Sequence, residues 1–314
     1  MSHRSFPSSN ALAAALAGAL LAFSGQALGQ ACCAGGSAIT PARLQLHEDW
    51  AIGLETHATV ITGSFLGTSY VSSPSGSNEV DLQEDLLATA RFLERGQVSL
   101  DVPVLATYRA DTGISDFGGG LGDINLGARW DFITAAESVH FPGIAVLLGV
   151  TVPTGRPADA PSASALAANA TGIGAFQLNG GVALEKIFGD HVLVDLTGLV
   201  SQRLPRTVEV AGQTIQETLG LQLFAIAAVG WVFNSGIGVA VSGTFTGELD
   251  AVLNGARVPQ SGRSLTTISL SGSLPINDNW RLQGSIFDDP QISGLGANQP
   301  IGTGLTFTVL RTWS

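Results

Sequence analysis

Polar and apolar residues alternate along much of the chain. In residues 192–200, VLVDLTGLV, Val192 and Val194 share one face with Leu196, whereas Asp195 and Thr197 share the other. A period of two residues is typical of a β-strand with two different faces. The same pattern recurs along the chain, and we predict strands over residues 50–62, 80–93, 97–109, 120–132, 140–153, 174–187, 191–203, 216–233, 237–248, 264–275, 279–288 and 301–313.

The stretch FGGGLGDINLGARWDF, residues 117–132, allows two interpretations. A glycine-rich loop that binds phosphate would read G-x-G-x-x-G between a strand and a helix. Here Gly120 and Gly122 are followed by Asn125 where the third glycine should stand, and no helical pattern follows. Polar and apolar residues alternate from residue 123 onward. We therefore interpret the glycines as a flexible loop that enters a strand.

The connections between the predicted strands are alternately short and long. This alternation is typical of outer-membrane barrels, which have short periplasmic turns and longer extracellular loops. Lipid offers no hydrogen-bonding partners, so that only a closed sheet satisfies the backbone of spanning strands. A soluble β-sandwich would also alternate, but it needs neither this loop pattern nor so few charges. We predict an all-β protein, an antiparallel up-and-down transmembrane β-barrel of about 12 strands and of outer-membrane type, over residues 48–314.

The N-terminus has the features of a secretory signal peptide. Arg4 precedes an apolar run over residues 11–23, and ALG, which ends at Gly29, offers small residues for cleavage. We expect residues 1–29 to be removed near Gly29 and residues 30–47 to form a periplasmic tail. The predicted location is the outer membrane of a Gram-negative bacterium.

The tail contains the two cysteines of the chain, Cys32 and Cys33. Adjacent cysteines seldom form a disulfide with each other, because the resulting ring is strained. Export places them in an oxidising compartment. Several roles stay open: a solvated tail, a disulfide or metal contact with an envelope protein partner, lipid attachment, or the rare vicinal bond.

Charge and polarity refine the prediction. Only 12% of the residues are charged, and the net charge is −11, which argues against a nucleic-acid partner. The polar faces of the strands should line a lumen wide enough for water. Acids outnumber bases there, so a pore would favour cations, although opposite charges could instead pair and plug the barrel. The predicted lumen residues are Glu55, His57, Asp81, Asp85, Arg91, Asp101, Asp123, Asn125, Arg129, Gln177, Asn179, Glu185, Asp195 and Arg281.

Catalytic motifs are missing from the sequence. It contains neither G-x-S-x-G nor H-E-x-x-H. Glu55 and His57 share one face of the first strand and could act as a base and its orienter, but the alternative is an ordinary lumen contact. We predict no enzymatic activity, no catalytic residue, no cofactor and no metal site.

Three motifs resemble the outer-membrane family named for the MetA pathway of phenol degradation, whose members are described as transporters. They are GLGDINLGARW (120–130), LLGVTVPTG (147–155) and TGIGAFQLNGGVALEK (171–186), within a resemblance over residues 80–314. The resemblance implies an outer-membrane barrel of about twelve strands and the passage of small or hydrophobic molecules. The C-terminus also resembles a barrel assembly signal through Gly304, Phe307 and Val309, although Ser314 stands in place of a final aromatic residue.

These observations favour a channel or transporter in contact with membrane lipid, through which small solutes diffuse passively. Two alternatives stay open. One is a non-conducting barrel that acts as an envelope scaffold or anchor through Cys32 and Cys33. The other is an outer-membrane enzyme that uses His57.

Overall fold

A computed structural model describes residues 42–135, 137–138, 140–160, 164–189, 191–210 and 213–314. The predicted signal peptide and both cysteines lie outside the described residues. No helix in this part of the chain is long and apolar enough to cross a membrane. Its strands, in chain order, are β1 (Trp50–Leu66), β2 (Ser69–Ser72), β3 (Asn78–Phe92), β4 (Gly96–Asp111), β5 (Ile114–Leu121), β6 (Ile124–Ile133), β7 (Gly143–Val152), β8 (Gln177–Phe188), β9 (Val192–Arg203), β10 (Arg206–Val210), β11 (Gln213–Thr218), β12 (Gln222–Val232), β13 (Gly238–Glu248), β14 (Val252–Leu253), β15 (Ala256–Arg257), β16 (Arg263–Asn277), β17 (Trp280–Asp288), β18 (Gly296–Ala297) and β19 (Pro300–Trp313).

Twelve of these strands form a closed antiparallel barrel. Each barrel strand pairs with the barrel strands before and after it in the chain, and the last pairs with the first, so that Trp50 lies opposite Trp313. The predicted up-and-down barrel of about 12 strands is therefore confirmed. The barrel strands are β1, β3, β4, β6, β7, β8, β9, β12, β13, β16, β17 and β19.

The barrel wall has an apolar outer face and a polar inner face. On β1, Ile52 and Leu54 are both 51% exposed, whereas Glu55 is 8% exposed. The same alternation continues around the barrel and follows from the two-residue period of a strand. An exposed apolar band that encircles a closed barrel is the surface that faces lipid in outer-membrane proteins.

Aromatic residues gather at the barrel end where the short turns lie. All five tryptophans of the chain occupy positions near this end: Trp50, Trp130, Trp231, Trp280 and Trp313. The guanidinium of Arg311 lies 4.9 Å from the ring centre of Trp313 and 5.6 Å from that of Trp280. Aromatic rings with long basic side chains among them are typical of a membrane–water interface.

The structure of the glycine-rich stretch 117–122 differs from the prediction. Gly118 and its neighbours belong to β5, which forms a hairpin with residues 104–111 of β4, and β6 begins only at Ile124. A Cβ atom on Gly118 would lie 2.5 Å from the backbone nitrogen of Asn169. Gly118, Gly119 and Gly120 are thus paired strand residues, the backbone of Asn169 packs on Gly118, and the prediction of a flexible loop was wrong for them.

The long loops also carry strands that the sequence pattern did not predict. β10, β11, β14 and β15 form a separate four-stranded sheet. The predicted strand over residues 216–233 is therefore divided, because β11 ends at Thr218 in this small sheet and β12 begins at Gln222 in the barrel.

Candidate functional site: the barrel interior

The polar side chains predicted to line a lumen lie opposite the exposed apolar face, with Asp123 as the exception. Many are almost fully buried: Asp85 is 3% exposed, Arg129 3% and Glu185 4%. Because the strands bring them close together, their carboxylates, amides and guanidiniums contact one another across the barrel interior. They form two groups, one with carboxylates around a histidine and one with carboxylates beside arginines.

The first group, here called the acidic cluster, consists of Glu55, His57, Asp85 and Asp101. Glu55 on β1 and Asp85 on β3 are directly opposite each other in the register of the two strands. His57 Nε2 lies 2.7 Å from Glu55 Oε1 and 3.4 Å from Asp85 Oδ2. Like charges directly opposite on paired strands repel each other, so the imidazole lies where it can offset that repulsion.

Hydroxyl and amide groups hold the acidic cluster in place. Thr308 Oγ1 donates to Glu55 Oε2 over 2.6 Å, and Asn125 Nδ2 donates to Asp101 Oδ2 over 3.1 Å. Thr151 donates in turn to the oxygen of Asn125, over 2.7 Å. Residues on β19 and β6 therefore donate hydrogen bonds to the cluster, and a residue on β7 supports the donor on β6.

The second group, here called the arginine cluster, consists of Arg43, Arg129, Asp131 and Glu185. Arg129 Nη2 lies 2.8 Å from Asp131 Oδ1 and 2.9 Å from Glu185 Oε1, which also contacts Arg43 Nη1 at 2.5 Å. Asp195 is opposite Glu185 in the register of β8 and β9. Two arginines therefore lie beside this second pair of opposed carboxylates, and one of them also pairs with Asp131.

Residues 42–49, here called the plug segment, lie inside the short-turn mouth of the barrel. Ala42 is 1% exposed and Leu44 2%, and both pack in one apolar cluster with Ala51, Leu87 and Leu310. The predicted periplasmic tail over residues 30–47 therefore ends inside the mouth, while residues 30–41 lie outside the described residues. Sequence periodicity gave no signal for this insertion.

Polar contacts also bind the plug segment to the barrel wall. Glu48 Oε1 lies 2.5 Å from Arg281 Nη2, and the backbone N–H of Leu44 donates to Gln97 Oε1 over 3.1 Å. Arg91 donates to the carbonyl oxygen of Glu48 over 2.9 Å. Arg91 and Arg281, both predicted as lumen residues, thus hold the plug segment in this conformation.

The remaining predicted residues lie nearer the long loops. Asp123 sits between β5 and β6, where Oδ1 accepts the backbone N–H of Gly155 and Oδ2 that of Ile173. Its carboxylate therefore fastens both ends of loop 153–176 rather than facing an open path. Asp81 accepts a hydrogen bond from Thr107 over 2.7 Å.

Gln177 and Asn179 belong to a polar group on the inner wall near the long loops. Gln177 donates to Asn179 Oδ1 over 2.8 Å and accepts from Arg203 over 3.1 Å. Arg203 also pairs with Glu248 at 2.8 Å. Arg203 was missed as an interior residue, although its place in the alternation of β9 would have indicated it.

The acidic residue Glu84 of β3 lies on the outer face. Glu84 follows the register of Leu82 and Leu86, both of which are exposed, and accepts a hydrogen bond from Thr56 over 2.8 Å. A carboxyl group on the lipid-facing side of a barrel strand is energetically costly. It also provides a close comparison for Asp85, its neighbour on the inner face.

Solved structures of other proteins have a similar fold. The chain is similar to the COG4313 outer membrane channel from Pseudomonas putida F1, with a TM-score of 0.69 and 14% identity over 87% of this chain and 100% of that one. It also matches the NanC porin, with a TM-score of 0.44 and 8% identity over 84% of this chain and 100% of that one. A FadL homologue from Pseudomonas aeruginosa gives a TM-score of 0.41 and 8% identity over 92% and 97% of the two chains.

No family model matches the chain, and no curated protein matches it. The structural similarity establishes the fold, an outer-membrane β-barrel. It supports the barrel that the sequence resemblance implied, but not the family name taken from phenol degradation.

Proposed function

We propose that the chain is an outer-membrane channel through which small solutes, cations above all, diffuse passively. The structurally similar protein from Pseudomonas putida F1 is described as an outer membrane channel. The polar inner face of the barrel and its apolar outer face are consistent with such a role. The proposal includes export by residues 1–29 and a periplasmic location for the end of the chain that carries the cysteines.

The acidic cluster is the observation that carries the proposal. Three carboxylates, those of Glu55, Asp85 and Asp101, face the interior around a single imidazole. Among the described residues, no ion pair brings an arginine or lysine to any of the three. Rings of acidic side chains select cations in pores, because a low-dielectric wall strengthens the attraction.

The plug segment adds a condition for conduction. Its apolar and ionic contacts occupy the short-turn mouth, where a solute would have to pass. In our proposal the segment undocks to open the path, and the barrel conducts weakly while the segment is docked. A barrel that inserts into a membrane but never conducts, even without residues 30–49, would instead support the scaffold alternative.

The test compares two neighbouring residues on opposite faces of β3. The reversal potential across a salt gradient is measured in planar bilayers for the chain without its signal peptide. Asp85→Asn removes a charge from the interior and should lower the ratio of cation to anion permeability. Glu84→Gln changes a carboxyl group on the outer face and should leave that ratio unchanged. Equal ratios in the two variants and the parent chain would contradict the proposal.

A further inference from the structure

The acidic cluster contains a set of atoms suited to a metal ion. Glu55, His57 and Asp85 each offer one ligand atom, and these atoms all lie within 4.8 Å of one another. The three side chains come from two paired strands, which fixes their relative positions. An imidazole nitrogen with carboxylate oxygens is a common ligand set for first-row transition metals.

Neighbouring groups orient each ligand. His57 Nδ1 lies 3.1 Å from Thr306 Oγ1, a contact that directs the other ring nitrogen, Nε2, towards the two carboxylates. Thr308 holds the second oxygen of Glu55, and Gln83 donates to Asp85 over 2.8 Å. Metal-binding histidines and carboxylates usually have such supporting hydrogen bonds, which fix the ring orientation and the tautomer.

The three carboxylates of the cluster also favour the binding of a cation. Asp101 adds a third carboxylate, and its Oδ1 atom is buried without a hydrogen-bond partner among the described residues. The arginine cluster shows the contrast, because there the guanidiniums of Arg43 and Arg129 both contact Glu185, which lies opposite Asp195. A buried carboxylate is costly unless it is hydrogen-bonded, paired with a cation, protonated or bound to a metal.

We propose that Glu55, His57 and Asp85 bind a divalent first-row transition-metal ion such as Zn²⁺ or Co²⁺ inside the barrel. Asp101 supplies additional negative charge beside the ion. The imidazole ligand favours these ions over Mg²⁺ and Ca²⁺, which prefer oxygen ligands alone. The inference goes beyond the channel proposal, because an ion can bind here whether or not the barrel conducts.

The experiment measures binding in detergent rather than conduction. Zn²⁺ is titrated by calorimetry, and Co²⁺ by its visible absorption, into the untagged chain without its signal peptide. Both cysteines are replaced, Cys32→Ser and Cys33→Ser, so that thiol binding does not contribute. We expect one ion per chain, removed by a chelator and not displaced by an equal concentration of Mg²⁺.

Variants then locate the ion. His57→Gln should weaken Zn²⁺ affinity by at least roughly 100-fold, and Thr306→Val, which removes only the support of the ring, by about 10- to 100-fold. Glu84→Gln and His191→Gln, which change a carboxylate and an imidazole elsewhere, should bind as the parent does. Circular dichroism checks that each barrel is folded.

Two results would overturn the proposal. One is a folded parent chain that binds neither ion. The other is unweakened binding in a folded His57→Gln variant, since the ion would then lie elsewhere. If His57→Gln fails to fold, Thr306→Val alone decides between the outcomes.

Discussion

The strongest prediction concerns Arg43, which ties the plug segment to the far wall of the barrel. Its Nη1 lies 2.5 Å from Glu185 Oε1, and the two side chains are 13% and 5% exposed. Arg43→Gln removes the charge and keeps a side chain of moderate length. The plug segment should then leave the mouth more often, because one of its buried ionic contacts is lost.

The size of the effect follows from the surroundings of the pair. Removing one partner of a buried ion pair costs about 3–5 kcal/mol when the other charge is left alone. Here Glu185 keeps Arg129 at 2.9 Å, so we expect about 2–3 kcal/mol. At 1.4 kcal/mol for each factor of ten, the undocked fraction should rise roughly 30- to 150-fold.

Hydrogen exchange of the Leu44 amide measures this fraction directly. That N–H donates to Gln97 Oε1 while the segment is docked, and its exchange requires local opening. Exchange at Leu44 should accelerate by the factor given above, while amides of the barrel strands keep their protection.

Arg95→Gln is the matched control at the same end of the barrel. Arg95 pairs with Glu137 at 3.1 Å, but the two side chains are 40% and 43% exposed, and such surface pairs contribute at most about 1 kcal/mol. Similar Leu44 exchange in the Arg43→Gln and Arg95→Gln variants would refute the reasoning that Arg43 anchors the plug segment.

Three further predictions concern the loops and the outer face. Gly118→Ala places a Cβ atom 2.5 Å from the backbone nitrogen of Asn169 and should destabilise the packing of loop 153–176 by about 1–3 kcal/mol. We expect faster proteolysis of that loop. Gly180→Ala is the control, because its Cβ atom meets nothing within 4 Å and proteolysis should not change. Glu84→Leu should raise the free energy of unfolding in lipid vesicles by about 1 kcal/mol, because an apolar side chain is favoured on the lipid face and this gain exceeds the loss of one hydrogen bond. A decrease would contradict a lipid-facing Glu84. The backbone N–H of Gly262 donates to the carboxylate of Asp250 and lowers the pKa of that carboxyl group. The stabilisation of the loop by this contact is therefore complete above the ordinary Asp pKa of about 3.9 and is lost as the pH falls through the lowered pKa. Proteolysis of loop 249–262 that stays constant down to strong acid would argue against this contact.

Local alternation predicted the barrel strands because each strand carries its own two-residue period. The observed strands β9 (Val192–Arg203) and β17 (Trp280–Asp288) differ from the predicted segments by one residue at their start. Closure followed from a different argument, since strands in lipid leave no backbone group without a partner only when the last strand pairs with the first. The interior positions of Glu55, Asp85 and Glu185 followed as well, because the face of a residue depends only on its place in the strand.

Contacts between distant segments could not be predicted in this way. Arg43 and Glu185 are 142 residues apart, and no local pattern connects them. The opposition of Glu55 and Asp85 depends on the register of two strands, which alternation alone does not determine. The glycines near residue 118 required knowledge of the loop backbone that packs on them, and without it they resembled a flexible connection.

Conduction of small cations through this barrel can be observed directly by single-channel recording. The chain over residues 30–314 is inserted into a planar bilayer across a salt gradient, beside a second form that lacks residues 30–49. We expect discrete, cation-selective current steps, with longer or larger openings in the shortened form. Inserted, folded barrels that carry no current in either form, or current selective for anions, would refute cation conduction through this barrel.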